Sequence, residues 1–196
     1  TTEDISPIGQ PREQATLPEI NGLDIDSRLR FLGLGETQLD QLEGLVGAIS
    51  RALPQALNDF YLKISETPEV AHFFTSDEQK ADASSKQYEH WKTIVSGRFG
   101  ADYFRDVERI GVTHARIGLD PRWYIAGNSL LIEHIVEAIV SENWPTVVRG
   151  RFGRKPRITG NEEKLARDLG LLIKATMLDM ELAVTSALNE LEKQRN

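Results

Sequence analysis

From residue 24 onward the apolar positions recur every three to four residues, the spacing that lines one face of an α-helix. No segment shows the apolar–polar alternation of a half-buried strand, and no Asn-Gly turn signals a hairpin. The pattern predicts helices over residues 24–32, 36–52, 54–66, 77–97, 101–118, 121–148 and 161–194, hence an all-α chain. Two boundaries carry their own chemistry. Thr67-Pro68 stops one helix, and Asp120-Pro121 sets a capping carboxylate ahead of a proline whose fixed φ suits a first helical turn. Residues 1–22 hold Pro7, Pro11, Pro18 and two glycines without a sustained period, and read as a loose arm ahead of one domain over 23–196.

The last two long helices carry more apolar surface than one stripe holds. In 121–148, Leu130, Leu131, Ile132, Ile135, Val136, Ile139 and Val140 wrap well round the helix. In 161–194, Leu165, Leu169, Leu172, Thr176 and Met180 mark one face, and Leu171, Ala175, Leu178 and Leu182 a second. Two apolar faces call for two neighbours. The expectation is a homodimer in which these two helices of each protomer form a four-helix bundle, with Leu178 and Leu182 at the interface; burial of both faces within one chain is the alternative.

Composition narrows the chemistry. The chain has no cysteine, which excludes disulfides, thiolate metal sites and cysteine nucleophiles, so a metal would have to be held by histidine or carboxylate. A net charge of -7 disfavours nucleic acid and anionic membranes as partners. The basic run Arg149, Arg151, Arg154, Lys155 and Arg157, broken by glycines and Pro156, reads as a solvated loop. No apolar stretch approaches the roughly 20 residues of a membrane span, and Thr1-Thr2-Glu3-Asp4 lacks the features of a secretion signal, so a cytoplasmic location is expected.

Of the four histidines, His114 stands out. Tyr103, Val107, Ile110, His114 and Ile117 share a helical face, which turns the imidazole inward without an evident carboxylate partner. On periodicity alone two readings stay open: a core histidine bonded to a backbone carbonyl, or a metal ligand. His72 follows Pro68 in a short turn-like segment. His90 is rotated off the stripe of Ser84, Gln87, Trp91 and Ile94 and is expected to be at least partly exposed, while His134 belongs to the apolar helix 121–148 in a packing or interface role.

The stretch from Ile110 to Gly127 contains His114, Ile117-Gly118-Leu119, Pro121 and Trp123-Tyr124 in order, and resembles the signature of bacterial globin-coupled sensors. Asn58-Asp59-Phe60-Tyr61 resembles that family's distal-tyrosine segment, Gln87-Tyr88-Glu89-His90-Trp91 its distal helix, and Lys174–Ala183 its closing helix. Asn128 and Ser129 depart from the usual small-then-aromatic pair, and Arg149–Gly160 resembles a longer linker than is usual. The resemblance implies a globin fold with an extra N-terminal helix and long closing helices. It also implies haem b ligated on its proximal side by His114, with Tyr124, Ile117 and Trp91 among the contacts. Tyr61 becomes the expected hydrogen-bond donor to a gas ligand, with Ser84 and Gln87 as further candidates.

The function implied is a sensor domain, not itself an enzyme, that binds O2, or CO or NO, and relays the change through its closing helices to a signalling output module. The polar end Glu192-Lys193-Gln194-Arg195-Asn196 carries no helix stop, which suggests continuation into such a module. Two alternatives remain: a haem enzyme or protoglobin-like oxygen chemistry, for which no distal Arg–His pair is evident, and a haem-free helical interaction module.

Overall fold

The computed structural model describes residues 25–144, 146–148, 157–159 and 161–195; the arm over 1–22 lies outside them. Eight helices are described: α1 Ile25–Leu32, α2 Glu36–Glu43, α3 Val46–Glu66, α4 Pro68–Ala71, α5 Asp77–Val95, α6 Ala101–Arg116, α7 Pro121–Asn143 and α8 Glu162–Arg195. The all-α expectation holds. Its boundaries differ in three places, each for a local reason.

First, residues 36–52 and 54–66 do not divide at Pro54. The break falls at Gly44-Leu45, and α3 continues through the proline. Pro54 lies on the exposed side, so the carbonyl left without a partner can be solvated, while Ile49, Leu53, Ala56 and Leu57 on the opposite face are almost wholly buried. Second, α7 ends at Asn143 rather than near 148. Trp144 has φ -60° and ψ 131°, the extended backbone favoured before a proline. Third, Thr146–Val148 and Arg157–Thr159 form a short antiparallel ladder with Val147 opposite Ile158, in a stretch expected to be helix end and loop. β-branched residues on both arms suit it, but three residues are too few for alternation to be seen.

The helices enclose one core to which α3, α5, α6, α7 and α8 all contribute. Two seams are set by glycines. A Cβ on Gly111 of α6 would lie 2.2 Å from the Ala183 carbonyl oxygen of α8, and one on Gly127 of α7 would lie 2.9 Å from the Phe60 ring of α3. Backbone therefore meets neighbour without a side chain between them along α6–α8, the most extensive contact in the fold, and along α3–α7, the next.

The two apolar faces of α8 are both satisfied inside the chain. Leu178 and Leu182 are only 3% and 1% exposed, and Leu171 and Ala175 are buried with them. This corrects their assignment to a dimer interface: α8 is central enough for neighbours to cover it on two sides. The large apolar side chains of α8 that do face outward are Ile173, Met177 and Leu188.

Candidate functional site

The segment from His114 to Arg122 is a helix stop joined to a helix start. The Leu119 N–H donates to the His114 carbonyl at 2.9 Å and the Gly118 N–H to the Ala115 carbonyl at 3.1 Å, the paired bonds of a Schellman cap. Such a cap needs a left-handed residue, and Gly118 supplies it with φ +76°. The chain then enters α7 at Asp120, whose Oδ1 accepts from the Arg122 N–H at 2.9 Å, with Pro121 in the first turn. The Asp120 carboxyl is held down at about 2, chiefly by its hydrogen bonds to Arg122. The spacing His–x–x–Ile-Gly-Leu–x–Pro thus has a mechanical meaning. It fixes His114 in the last turn of α6 and brings α7 back beside it, so that the Tyr124 ring lies 4.9 Å from the His114 imidazole at 48°.

His114 is half-buried, yet its imidazole makes no hydrogen bond or ion pair with any described residue. Burial alone lowers its pKa to about 4, so the imidazole is neutral near pH 7. No buried side-chain nitrogen or oxygen among the described residues lacks a partner. The unpaired His114 nitrogens must therefore open onto accessible space. A neutral imidazole with a free nitrogen facing open space has the properties of a metal ligand, not of a core histidine tied to a carbonyl. No group of three or more His, Asp or Glu among the described residues is placed to hold a bare ion, so a metal at His114 would bring its remaining ligands with it, as a macrocycle does.

The other three histidines are engaged. His72 caps α4 at the surface, with Nδ1 3.4 Å from the Pro68 carbonyl. His134 bridges the Leu130 carbonyl at 3.0 Å and Asp59 Oδ2 at 3.2 Å, tying α7 to α3. His90 lies deeper than its off-stripe position suggested: its side chain is 15% exposed and its Nε2 is 2.8 Å from Asp179 Oδ1. Asp179 stands on α8, some ninety residues away along the chain, and no local pattern links the two.

Tyr61 lies on α3 with its ring edge-on to Phe60 and Phe74, and its hydroxyl donates to Gln87 Oε1 of α5 at 3.1 Å. Burial, reinforced by the charge of Asp82, pushes its pKa up, so the phenol stays a donor at any physiological pH. The structure thus brings together Tyr61 and Gln87, two of the three expected ligand-facing residues. Ser84 is half-buried one turn before Gln87 on the same helix. Trp91, one turn beyond Gln87, is buried in the core at 2% exposure, while Ile117, at the α6 cap, is 49% exposed. Tyr124, among the expected contacts, lies beside His114. Asn128 directs its amide to the Tyr124 carbonyl, one turn back along α7.

The Protoglobin family model matches residues 22–193. In fold the chain is similar to the globin domain of the Geobacter sulfurreducens globin-coupled sensor, with a TM-score of 0.69 at 14% identity, covering 83% of this chain and 96% of that one. It is similar also to the globin domain of E. coli DosC. The ferrous form gives a TM-score of 0.61 at 14% identity over 82% of this chain and 99% of that one, and the ferric form 0.60 at 12% over 84% and 99%. At such identities the likeness is one of fold. No curated protein matches the chain in sequence. No described helix is long and apolar enough to cross a membrane.

Proposed function

The chain belongs to the protoglobin family of haem-binding globins, and on that premise we propose that it is a gas-sensing domain holding haem b through His114. The observation that carries the ligand assignment is the neutral, unpartnered His114 imidazole; the other three histidines are each bonded elsewhere. When bound, haem supplies an iron that takes up diatomic gases, O2 with more negative charge on its outer atom than CO. Tyr124 packs beside His114 and limits the angles its ring can adopt. Tyr61 has one hydroxyl proton, which Gln87 Oε1 of α5 accepts in this structure; a bound polar gas draws that proton from Gln87 to itself, which favours the more polar ligand.

Relay to a signalling output module would run through α6 and α8. Gly111 lies one turn before His114 on α6 and touches the α8 backbone, so a small movement at the ligand is felt at that seam. Homodimerisation is part of the same proposal, now through the outward-facing Ile173 and Met177 of α8, the second of which lines one cleft with Phe31 of α1, itself 91% exposed. The decisive experiment is His114→Ala. Stoichiometric haem binding is lost while helix content is kept, and added imidazole restores part of it. A normal histidine-ligated absorption spectrum in the mutant would overturn the assignment.

A further inference from the structure

Two side-chain hydrogen bonds join α5 to other helices among the described residues, and they lie one turn apart. Gln87 accepts the Tyr61 hydroxyl of α3 at 3.1 Å, and His90, at the i+3 position from Gln87, has its Nε2 2.8 Å from Asp179 Oδ1 of α8. Asp179 is 3% exposed, and the same oxygen receives the Tyr103 hydroxyl of α6 at 2.7 Å. The His90 and Tyr103 rings are parallel, with centres 6.1 Å apart. The first bond belongs to the proposed gas site; the second does not. It pairs a buried carboxylate with a histidine, the side chain whose ordinary pKa lies closest to physiological pH.

The other ionisable groups near His90 are accounted for. From α6 come Asp106, paired with Arg109 at 2.9 Å, and the Tyr103 phenol. Burial keeps Tyr103, Tyr124 of α7 and Tyr61 of α3 protonated, so none of the phenols takes on charge. On α5 itself Lys86 is bound to Asp82 and Lys92 to Glu89, and Glu181 of α8 is bound to Arg28. Protonated, His90 is the counter-charge of Asp179. Deprotonated, it keeps an N–H to donate but no charge, and a buried carboxylate that loses its counter-charge destabilises the seam it sits in. Burial pulls the His90 pKa down, yet Asp179 and Asp106 together raise it, so the proton is lost above the ordinary value of 6.5.

We propose that the His90–Asp179 pair is a proton-operated latch between α5 and α8, which sets how firmly Gln87 is held against Tyr61 and so links gas affinity to pH. Closed, with His90 charged, the latch holds α5 on α8 and keeps Gln87 Oε1 as the partner of the Tyr61 proton. Open, α5 has one anchor fewer, and Gln87 gives way more readily when a polar ligand draws that proton. O2 is therefore bound more tightly on the alkaline side, by up to about fivefold, the equivalent of one ordinary hydrogen bond. The gas-binding half of the proposal rests on the reading of Tyr61 as donor to the ligand; the latch itself does not.

The test follows the full chain from about pH 5.5 to 9, spanning the histidine range, as wild type, His90→Gln and Asp179→Asn. Ring NMR gives the His90 titration, and hydrogen exchange, corrected for its intrinsic pH dependence, gives the protection of α5. Equilibrium binding to the haem-loaded protein gives the O2 and CO affinities. In the wild type, protection of α5 is expected to fall as His90 loses its proton, and O2 affinity to rise over the same interval with CO nearly level. His90→Gln holds both at their alkaline values throughout, and Asp179→Asn moves the His90 midpoint down. A merely structural pair would make both variants less stable but leave α5 protection level through the wild-type His90 midpoint, and that result overturns the proposal. If Asp179→Asn does not fold, Tyr103→Phe removes one bond from the carboxylate and keeps the ring: a His90 midpoint moved up supports the shared carboxylate, and an unmoved one rejects it. A protein that takes up no haem removes the gas-site reading, while NMR and exchange still decide the latch. If α5 loosens and Tyr61→Phe weakens O2 binding, but wild-type O2 affinity stays level with pH, the link is rejected and the gas-site reading stands.

Discussion

Two glycines on helices of similar character provide the sharpest test of the packing. Gly111 lies inside α6 and Gly170 inside α8. By helix propensity alone, alanine at either position should stabilise the protein, by about 0.4–1 kcal/mol. The structure separates them. An added Cβ at Gly170 meets nothing within 4 Å, whereas at Gly111 it would come within 2.2 Å of the Ala183 carbonyl oxygen, 2.8 Å of Ser186 Cβ and 3.0 Å of the Ala187 nitrogen. Reaching ordinary contact at 3.4 Å requires α6 and α8 to part by about 1.2 Å, and two of the three obstacles, the Ala183 oxygen and the Ala187 nitrogen, are backbone and cannot rotate away. Overpacking of this kind costs about 1–3 kcal/mol and, with main chain on both sides, belongs at the upper end. At about 2–4 °C per kcal/mol for a protein of this size, Gly111→Ala should lower Tm by about 4–12 °C and Gly170→Ala raise it by about 1–4 °C. Thermal and urea unfolding followed by circular dichroism measure both. Because His114 is one turn further along α6, Gly111→Ala should also weaken haem retention while Gly170→Ala should not. A Gly111→Ala protein as stable as the wild type would show that the α6–α8 backbone contact is not as close as described.

Tyr61→Phe should raise the O2 dissociation rate by about fivefold for a hydrogen bond of about 1 kcal/mol, and leave CO comparatively unchanged; equal shifts for both gases in stopped-flow measurements would point to pocket access instead. Met177→Glu, or Ile173→Asp, should convert a dimer to monomers with haem retained, whereas Leu178→Glu buries a charge in the core and should unfold the chain; light scattering and circular dichroism separate the two. Burial is the largest single influence on His90 and lowers its pKa, but the charge of Asp179, its hydrogen bond and the charge of Asp106 together raise it above 6.5. Its ion pair therefore stabilises fully below pH 6.5 and fades as pH rises through the folded-state value. The stability difference between wild type and His90→Gln should be largest in mildly acidic buffer and shrink on the alkaline side; a difference that grew with pH would reverse the assignment.

Everything that depends on neighbours in the chain was legible from the residues. Helical periodicity gave the fold class and the approximate extent of the long helices, since the apolar stripe a helix buries is a local property. The signature from His114 to Tyr124 was informative for the same reason: Ile117-Gly118-Leu119 and Asp120-Pro121 encode a Schellman stop and an N-cap, and these place His114 and Tyr124 side by side without distant help. Packing between helices decided the rest. Pro54 reads as a helix break, yet the buried leucines around it carry α3 across. Leu178 and Leu182 look like an interface because a sequence cannot show that α8 is covered on two sides, and only Ile173, Met177 and Leu188 are left outside. Asp179 carries no local signal at all. Its partners His90 and Tyr103 come from two other helices, and a buried carboxylate acquires its role from the groups the fold delivers to it.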